Sequence, residues 1–278
     1  MPELPEVETV RSRLEPQLLG RTFSNVTILD ERLTRPFEPQ PVAAALAGER
    51  VASVDRRGKY LIVRFESGRV LLIHLRMTGS LLFARGGELP ADPHRRAVVS
   101  LDDGSDVAYR DVRRFGTWLL LEPDEVDTYL EARLGTEPLG PAFTARALGA
   151  AVAGRRAPIK AALLDQRVVA GVGNIYADEA LWYARVHPLK PAGELTETEL
   201  RAVHRGVRRA LAIGIGRQGA TLRDYRTPDG DAGGMQDEFR VYGRGGEPCN
   251  RCGTALEKTR VAGRGTWYCP TCQPLDAA

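Results

Sequence analysis

The chain has 278 residues, 43% of them hydrophobic, which exceeds a typical single domain and leaves enough apolar material for a core in each of two. The formal charge of +3 is mild, so any affinity for a polyanion must come from local clustering and not from bulk charge. No apolar run approaches a membrane span and the N-terminus lacks the basic and apolar regions of a signal peptide, so the reading is a soluble cytosolic protein.

The chain opens Met1-Pro2-Glu3-Leu4-Pro5-Glu6. Removal of the initiator methionine would leave the Pro2 nitrogen as a free secondary amine beside a carboxylate. When such an amine attacks a carbonyl carbon or a sugar C1′, the iminium it forms has no N–H to lose and stays cationic, an electron sink. With an α-amino pKa of about 8, roughly a tenth of the amine is neutral at pH 7. Taken singly, proline in second position is explained as readily by methionine removal, and Pro5 by the first turn of a helix.

Val7, Val10, Leu14 and Leu18 recur at spacings of three and four, which predicts an amphipathic helix with Pro16 as the place for a bend and Gly20 after its end. Short apolar or alternating runs follow at 26–29, 60–65, 70–74, 97–101 and 115–121, separated by turns such as Ser67-Gly68 and Asp103-Gly104; this is the rhythm of a sandwich or barrel. Between about 122 and 141 the pattern becomes alanine-rich and helical. Thr196 and Glu199 have capping-box spacing before a helix carrying Leu200, Val203, Val207 and Leu211. A glycine-rich polar stretch over 214–234 leads into the C-terminal segment.

All four cysteines lie in that segment. Cys249-x2-Cys252 and Cys269-x2-Cys272 present two thiolate pairs that can close a tetrahedron around one zinc ion, with no coordination position left for water. Thr266 to Tyr268 reads as a strand, so the unit is predicted to be a zinc-bound β-hairpin with Arg260 and Arg264 near its tip. From Arg240 to Thr266 six basic residues face two acidic ones, which favours a nucleic-acid partner, although zinc ribbons serve protein contacts as often.

Taken together, Pro2 to Thr9 (PELPEVET), His74 to Gly79 (HLRMTG), Arg113-Arg114-Phe115-Gly116, Gly171 to Tyr176 (GVGNIY) and the four-cysteine finger resemble the bacterial formamidopyrimidine-DNA glycosylase family, in the family's order and across nearly the whole chain. Leu4, where sister enzymes acting on oxidised pyrimidines typically have glycine, and the run Thr221 to Tyr225 (TLRDY) resemble the oxidised-purine branch.

The resemblance implies an α+β fold: an N-terminal β-sandwich with an N-terminal helix (1–130), a helix-two-turn-helix domain with a lesion-recognition loop (131–238) and a zinc-finger hairpin (239–278), with DNA in a cleft. It implies a base-excision glycosylase and lyase in which Pro2 attacks C1′ of a damaged nucleotide and Glu3 assists sugar opening. Lys59 matches the family's active-site lysine, and Arg264 the finger arginine assigned to the second elimination; a guanidinium does not readily release a proton, so its role is read as clamping phosphate. An enzyme that everts a base must fill the hole. By resemblance Met77 packs into the gap, Phe115 wedges beside the opposite strand and Arg113 bonds the orphaned base. Phosphate contacts come from His94, Arg155, Asn174 and Lys160, with His74 close by. The loop over 219–234 resembles a mobile lid. Thr78 stands where some members have glutamate, and Gly263 where others have glutamine. The partners implied are damaged double-stranded DNA and one structural zinc ion, with no membrane and no nucleotide cofactor, for a cytoplasmic, nucleoid-associated monomer. Two other readings compete: a catalytically silent zinc protein that binds damaged DNA, and a lyase that prefers oxidised pyrimidines.

Overall fold

The computed structural model describes residues 2–86 and 88–275. The chain divides into two compact units, Met1–Ala132 with Arg217–Gln236, and Arg133–Gly216 with Asp237–Ala278. The segment 217–236 therefore packs with the N-terminal unit, and the cysteine segment packs with the helices.

The first unit opens with helix α1 (Leu4–Leu18), in which Pro5 occupies the first turn, where no amide donor is needed. A capping box pairs Glu3 with Glu6, the Glu3 amide donating to Glu6 Oε2 at 2.7 Å. The predicted stripe Val7, Val10, Leu14 and Leu18 is buried, each side chain contributing about 1.5–3 kcal/mol. Then follow β1 (Phe23–Ile28), α2 (Pro39–Leu46), β2 (Val51–Arg57), β3 (Tyr60–Phe65), β4 (Val70–His74), β5 (Gly79–Ala84), β6 (Arg95–Leu101), β7 (Asp106–Asp111), β8 (Thr117–Leu121) and α3 (Glu125–Glu131). Two four-stranded antiparallel sheets result, ordered β1-β6-β7-β5 and β2-β3-β4-β8. Their apolar faces share one core: Leu81, Val99, Val107 and Tyr109 from one sheet, and Val54, Leu61, Val63, Ile73 and Trp118 from the other, closed at the end by α1.

Strands β3 and β4 coincide with the predicted runs, because β4 is buried along its whole length and β3 at every position but Arg64, so both read as nearly continuous apolar stretches. Strands β2 and β7 escape that reading: β2 buries little beyond Val51 and Val54, and β7 is bounded by aspartates. Strand β8 starts at Thr117, not at Phe115. Arg114 is left-handed (φ 60°) and the Gly116 amide donates to the Asp111 carboxylate at 2.8 Å instead of to a ladder.

The second unit contains α4 (Ala145–Val152), α5 (Ile159–Leu164), α6 (Asn174–Ala184) and α7 (Glu197–Gly216), then the antiparallel hairpin of β9 (Glu257–Val261) and β10 (Arg264–Tyr268). Before α7 the Thr196 amide donates to Glu199 Oε2 at 2.8 Å and the Glu199 amide to Thr196 Oγ1 at 3.2 Å, as the spacing predicts. Helix α6 is buried on nearly all sides and forms the spine of this unit. No described helix is long and apolar enough to cross a membrane.

Candidate active site

In the first unit Pro2 and Glu3 are buried at the start of α1. Glu8 of α1 pairs with Arg56 at 2.8 Å, and Arg56 Nη1 donates to the Gly58 carbonyl at 3.0 Å. This ties the helix start to the β2–β3 turn that carries Lys59, itself only 5% exposed. The Glu8–Arg56–Gly58 chain thus links α1, which starts just after Pro2 and Glu3, to the turn that carries Lys59.

The turn between β4 and β5 presents Met77, half-buried, beside Arg76 in the left-handed region (φ 53°). His74 shapes that turn: its Nδ1 accepts the Arg76 amide at 2.9 Å and its ring packs edge-on against Tyr60 at 4.7 Å. Burial, with smaller contributions from Arg76 and Lys59, lowers its pKa to about 3. His74 is therefore neutral at working pH and faces inward, so its influence on any bound phosphate runs through the turn it shapes. Below pH 6.5 the unfolded chain takes up a proton here that the folded one refuses down to about pH 3, so stability falls as pH falls through that window, by up to ~1.4 kcal/mol per unit. Urea unfolding at pH 5 and pH 7.5 is expected to show a smaller acid loss in His74→Asn than in the wild type; equal losses would refute the assignment.

Arg113 and Phe115 project from the loop after β7. Both are exposed, Phe115 by 52%, with the Arg113 guanidinium 4.7 Å above the Phe115 ring. His94 lies at the base of the same region, its carbonyl accepting the Asp111 amide at 2.9 Å. Arg114 is turned away and pairs with buried Asp30 through both Nε and Nη2; this hydrogen-bonded pair lowers the Asp30 pKa.

The loop 217–236 is latched to α1. Glu6 Oε1 accepts the Ala220 amide at 2.7 Å and Tyr225 Oη donates to the Gln218 carbonyl at 3.0 Å. Gly219 has φ +80°, and a Cβ there would lie 2.7 Å from Glu6 Cγ, so no other residue fits without displacing the latch. Farther along, the Pro228 carbonyl accepts the Phe83 amide of edge strand β5 at 2.9 Å, and Leu222 stands 51% exposed. The expected lid is thus a loop with a fixed neck and an arm laid on a sheet edge.

In the second unit Asn174 opens α6, after a turn pinned by Gln166, which accepts the Gly171 amide at 2.9 Å and donates to the Val172 carbonyl at 2.8 Å. Arg155 is half-buried and pairs with Asp165 at 3.1 Å. Lys160 is fully buried: its ammonium contacts Asp178 Oδ1 at 2.8 Å, Thr266 Oγ1 at 2.8 Å and the Gly265 carbonyl at 2.9 Å. It is not presented to a phosphate. Together with Asn174 Nδ2, which donates to the same Gly265 carbonyl at 3.1 Å, it holds the hairpin beside Arg264. Arg264 itself is exposed, next to a tip formed by Ala262 and Gly263, both at positive φ.

Two adjacent acids on α6 complete the scaffold, and sequence reading passes over both. Asp178 Oδ2 accepts the Trp267 amide at 3.1 Å, and burial pushes its pKa up to about 7 against the opposing pull of Lys160. Glu179 accepts the amides of Arg240, Val241 and Tyr242 at 2.9–3.0 Å; burial raises its pKa against those donors. The signal was available: Asp178-Glu179 interrupts an otherwise apolar helix, and paired acids on a buried helix face must have partners. Glu6 and Asp111 were missed for the opposite reason, since each looks like an ordinary polar residue at a helix start or strand end.

The four cysteine Sγ atoms lie within 4.8 Å of one another, and none forms a disulfide. A zinc ion with Zn–S bonds of about 2.3 Å separates tetrahedral sulfurs by about 3.8 Å, so the donor set fits. Trp182 Nε1 and the Arg251 amide donate to Cys249 Sγ at 3.4 and 3.5 Å, which favours the thiolate. These four cysteines form the site of one structural zinc.

Sequence models of three domains match the chain: the formamidopyrimidine-DNA glycosylase N-terminal domain over residues 1–118, the formamidopyrimidine-DNA glycosylase H2TH domain over 134–226, and a zinc finger found in FPG and IleRS over 246–275. The chain belongs to the formamidopyrimidine-DNA glycosylase family. The proteins of that name from Symbiobacterium thermophilum and Chloroflexus aggregans are each 48% identical to it, over 99% of this chain and 90% and 99% of theirs. A Lactococcus lactis Fpg variant, solved in complex with Fapy-dG-containing DNA, superposes with a TM-score of 0.92 at 37% identity, covering 99% of this chain and all of that one. The same organism's Fpg bound to DNA with an abasic site matches at 0.91 and 36% identity, over 98% of this chain and all of that one. The expected family and the α+β architecture, with its sandwich, helical domain and zinc hairpin, are therefore borne out.

Proposed function

We propose that this protein is a base-excision DNA glycosylase and abasic-site lyase that removes oxidised purines, 8-oxoguanine and formamidopyrimidines, from double-stranded DNA. The observation that carries the reading is the link from α1, which follows buried Pro2 and Glu3, through Glu8 and Arg56 to the turn of buried Lys59, in a chain whose solved relatives are bound to Fapy-dG and abasic DNA. The neutral Pro2 amine attacks C1′; the glycosidic C–N bond breaks and its electron pair leaves with the base, which takes the proton that the Pro2 nitrogen releases. Glu3 donates a proton to O4′, the sugar ring opens and the iminium forms. That cation acidifies the C2′ proton, whose loss expels the 3′ phosphate, and loss of a C4′ proton then expels the 5′ phosphate and leaves a gap. Lys59 holds charge near the phosphates during these eliminations, and Arg264 clamps the flanking phosphate as a fork of donors.

Met77, Arg113 and Phe115 occupy the space of the everted nucleotide, and the loop 217–236 covers the extruded base. His94, Arg155 and Asn174 serve the phosphate backbone. In these terms the chain comprises a catalytic sandwich (1–130), a helix-two-turn-helix domain with the lesion loop (131–238), the loop itself packing with the sandwich, and a finger (239–278), acting as a cytoplasmic, nucleoid-associated monomer. A reading with wider substrate scope has one support: wild-type Lactococcus lactis Fpg has also been solved with DNA containing an oxidised pyrimidine.

Borohydride reduction of the protein incubated with a duplex carrying 8-oxoguanine is expected to yield one covalent protein–DNA adduct, with faster trapping than on a duplex carrying an oxidised pyrimidine. A gel shift without any adduct would instead identify a silent DNA binder.

A further inference from the structure

The turn that carries Met77 and the loop that carries Arg113 and Phe115 are distant in sequence but share one buried hydrogen-bond knot. Thr78 Oγ1 donates to Asp111 Oδ1 and accepts the Arg113 amide at 2.9 Å. Asp111 Oδ1 also receives the Arg113 amide at 3.2 Å, and Asp111 Oδ2 the Gly116 amide at 2.8 Å. Asp111 is 1% exposed and Thr78 8%, so these bonds form away from water, where each lost partner leaves a costly orphan.

Packing reinforces the knot. A Cβ on Gly79 would lie 2.4 Å from Tyr109 Oη, and one on Gly116 would lie 1.6 Å from the same atom, so both segments fold onto one tyrosine with no room for a side chain. From the loop side the knot presents exposed Arg113, with Phe115 stacked beneath it, and from the turn side half-buried Met77. Arg114–Asp30 braces the loop from the other side. A threonine is the right group at the centre, because a hydroxyl donates to the carboxylate while accepting from the amide. A carboxylate or methyl at this position cannot do both, and an amide could only from two separate atoms.

We propose that Thr78 and Asp111 are positioning residues that lock Met77, Arg113 and Phe115 into one rigid wedge, so that the three side chains enter the duplex together. The inference rests on the glycosylase reading and deepens it. The lock supplies preorganisation, with the wedge set before DNA is met. Neither residue touches the reacting atoms.

A mutant cycle tests it through single-turnover excision from a duplex containing 8-oxoguanine. Thr78→Val keeps the shape and removes both hydrogen bonds, and is expected to slow excision about tenfold, with Thr78→Ala behaving alike and Thr78→Ser staying within about twofold of wild type. In a background already carrying Arg113→Ala and Phe115→Ala, adding Thr78→Val is expected to cost less than about twofold, because there is little wedge left to position. A full tenfold loss in that background, as a general structural defect would give, overturns the proposal; so does an unchanged rate for Thr78→Val alone. Failure of the wild-type protein to form any borohydride-trapped adduct would instead sink the glycosylase reading, and the two failures are distinguishable.

Discussion

A form of the protein in which the Pro2 nitrogen remains in an amide, through retained Met1 or an added N-terminal tag, is expected to give no borohydride-stable adduct with lesion or abasic DNA. The loss should exceed ~10³-fold, since an amide nitrogen has no available lone pair and the primary amines left, such as Lys59, can form only an imine that must be protonated to become an electron sink. Binding should survive, because the wedge and the finger do not depend on that nitrogen. Intact mass gives the processing state, and gel shift with trapping gives the rest. An adduct of undiminished yield from the blocked protein would remove Pro2 from the mechanism. Glu3→Gln provides a finer test: the side chain keeps an acceptor for its helix cap and loses its acid, so base release and ring opening should slow while the fold holds.

The second large effect concerns the finger. Cys269→Ser, or removal of the metal with a strong chelator, is expected to release one zinc per chain, measurable by a colorimetric indicator, and to abolish binding to lesion duplex. A two-stranded hairpin of five-residue strands is not stable alone, and the apolar cluster beneath it is small: Trp182, Val241, Cys249, Leu256 and Cys269. A structural zinc supplies roughly 10–16 kcal/mol of apparent folding free energy in such units, more than that cluster can replace. Arg264, at the tip, then loses its position. By comparison Asp178→Ala leaves the zinc in place but strands the Lys160 ammonium, at a cost of about 3–5 kcal/mol. It should weaken DNA binding without releasing metal. Full binding after zinc loss would show that the finger is not part of the DNA interface.

Legibility varied with how local the physics is. The start of α1, strands β3 and β4, the α7 capping box and the four cysteines were readable because each depends on residues a few positions apart: a helical stripe, a continuous apolar run, a reciprocal cap, a ligand spacing. Phe115 shows the limit. Its apolar neighbours place it in a strand, yet it is held outside one, because the Gly116 N–H donates a hydrogen bond to the Asp111 carboxylate and the ladder begins only at β8.

Lys160 and His74 show the same limit in reverse. A lysine and a histidine near phosphate-binding motifs read as surface contacts, and only the fold reveals that one holds the hairpin from inside and the other shapes a turn. Exposure is a property of what packs on top, which no local pattern records.

By itself the sequence determined the family, the chemistry available at Pro2 and Glu3, the zinc donor set and the succession of a β-rich half, a helical half and a finger. Tertiary structure alone decided which polar residues were spent on scaffolding: Glu6 latching the loop, Asp178 and Glu179 holding the finger, Thr78 and Asp111 knotting the wedge. The physical reason is that a buried hydrogen bond joins residues by geometry, often across dozens of positions, whereas spacing and hydrophobic period report only what one element does with its own neighbours.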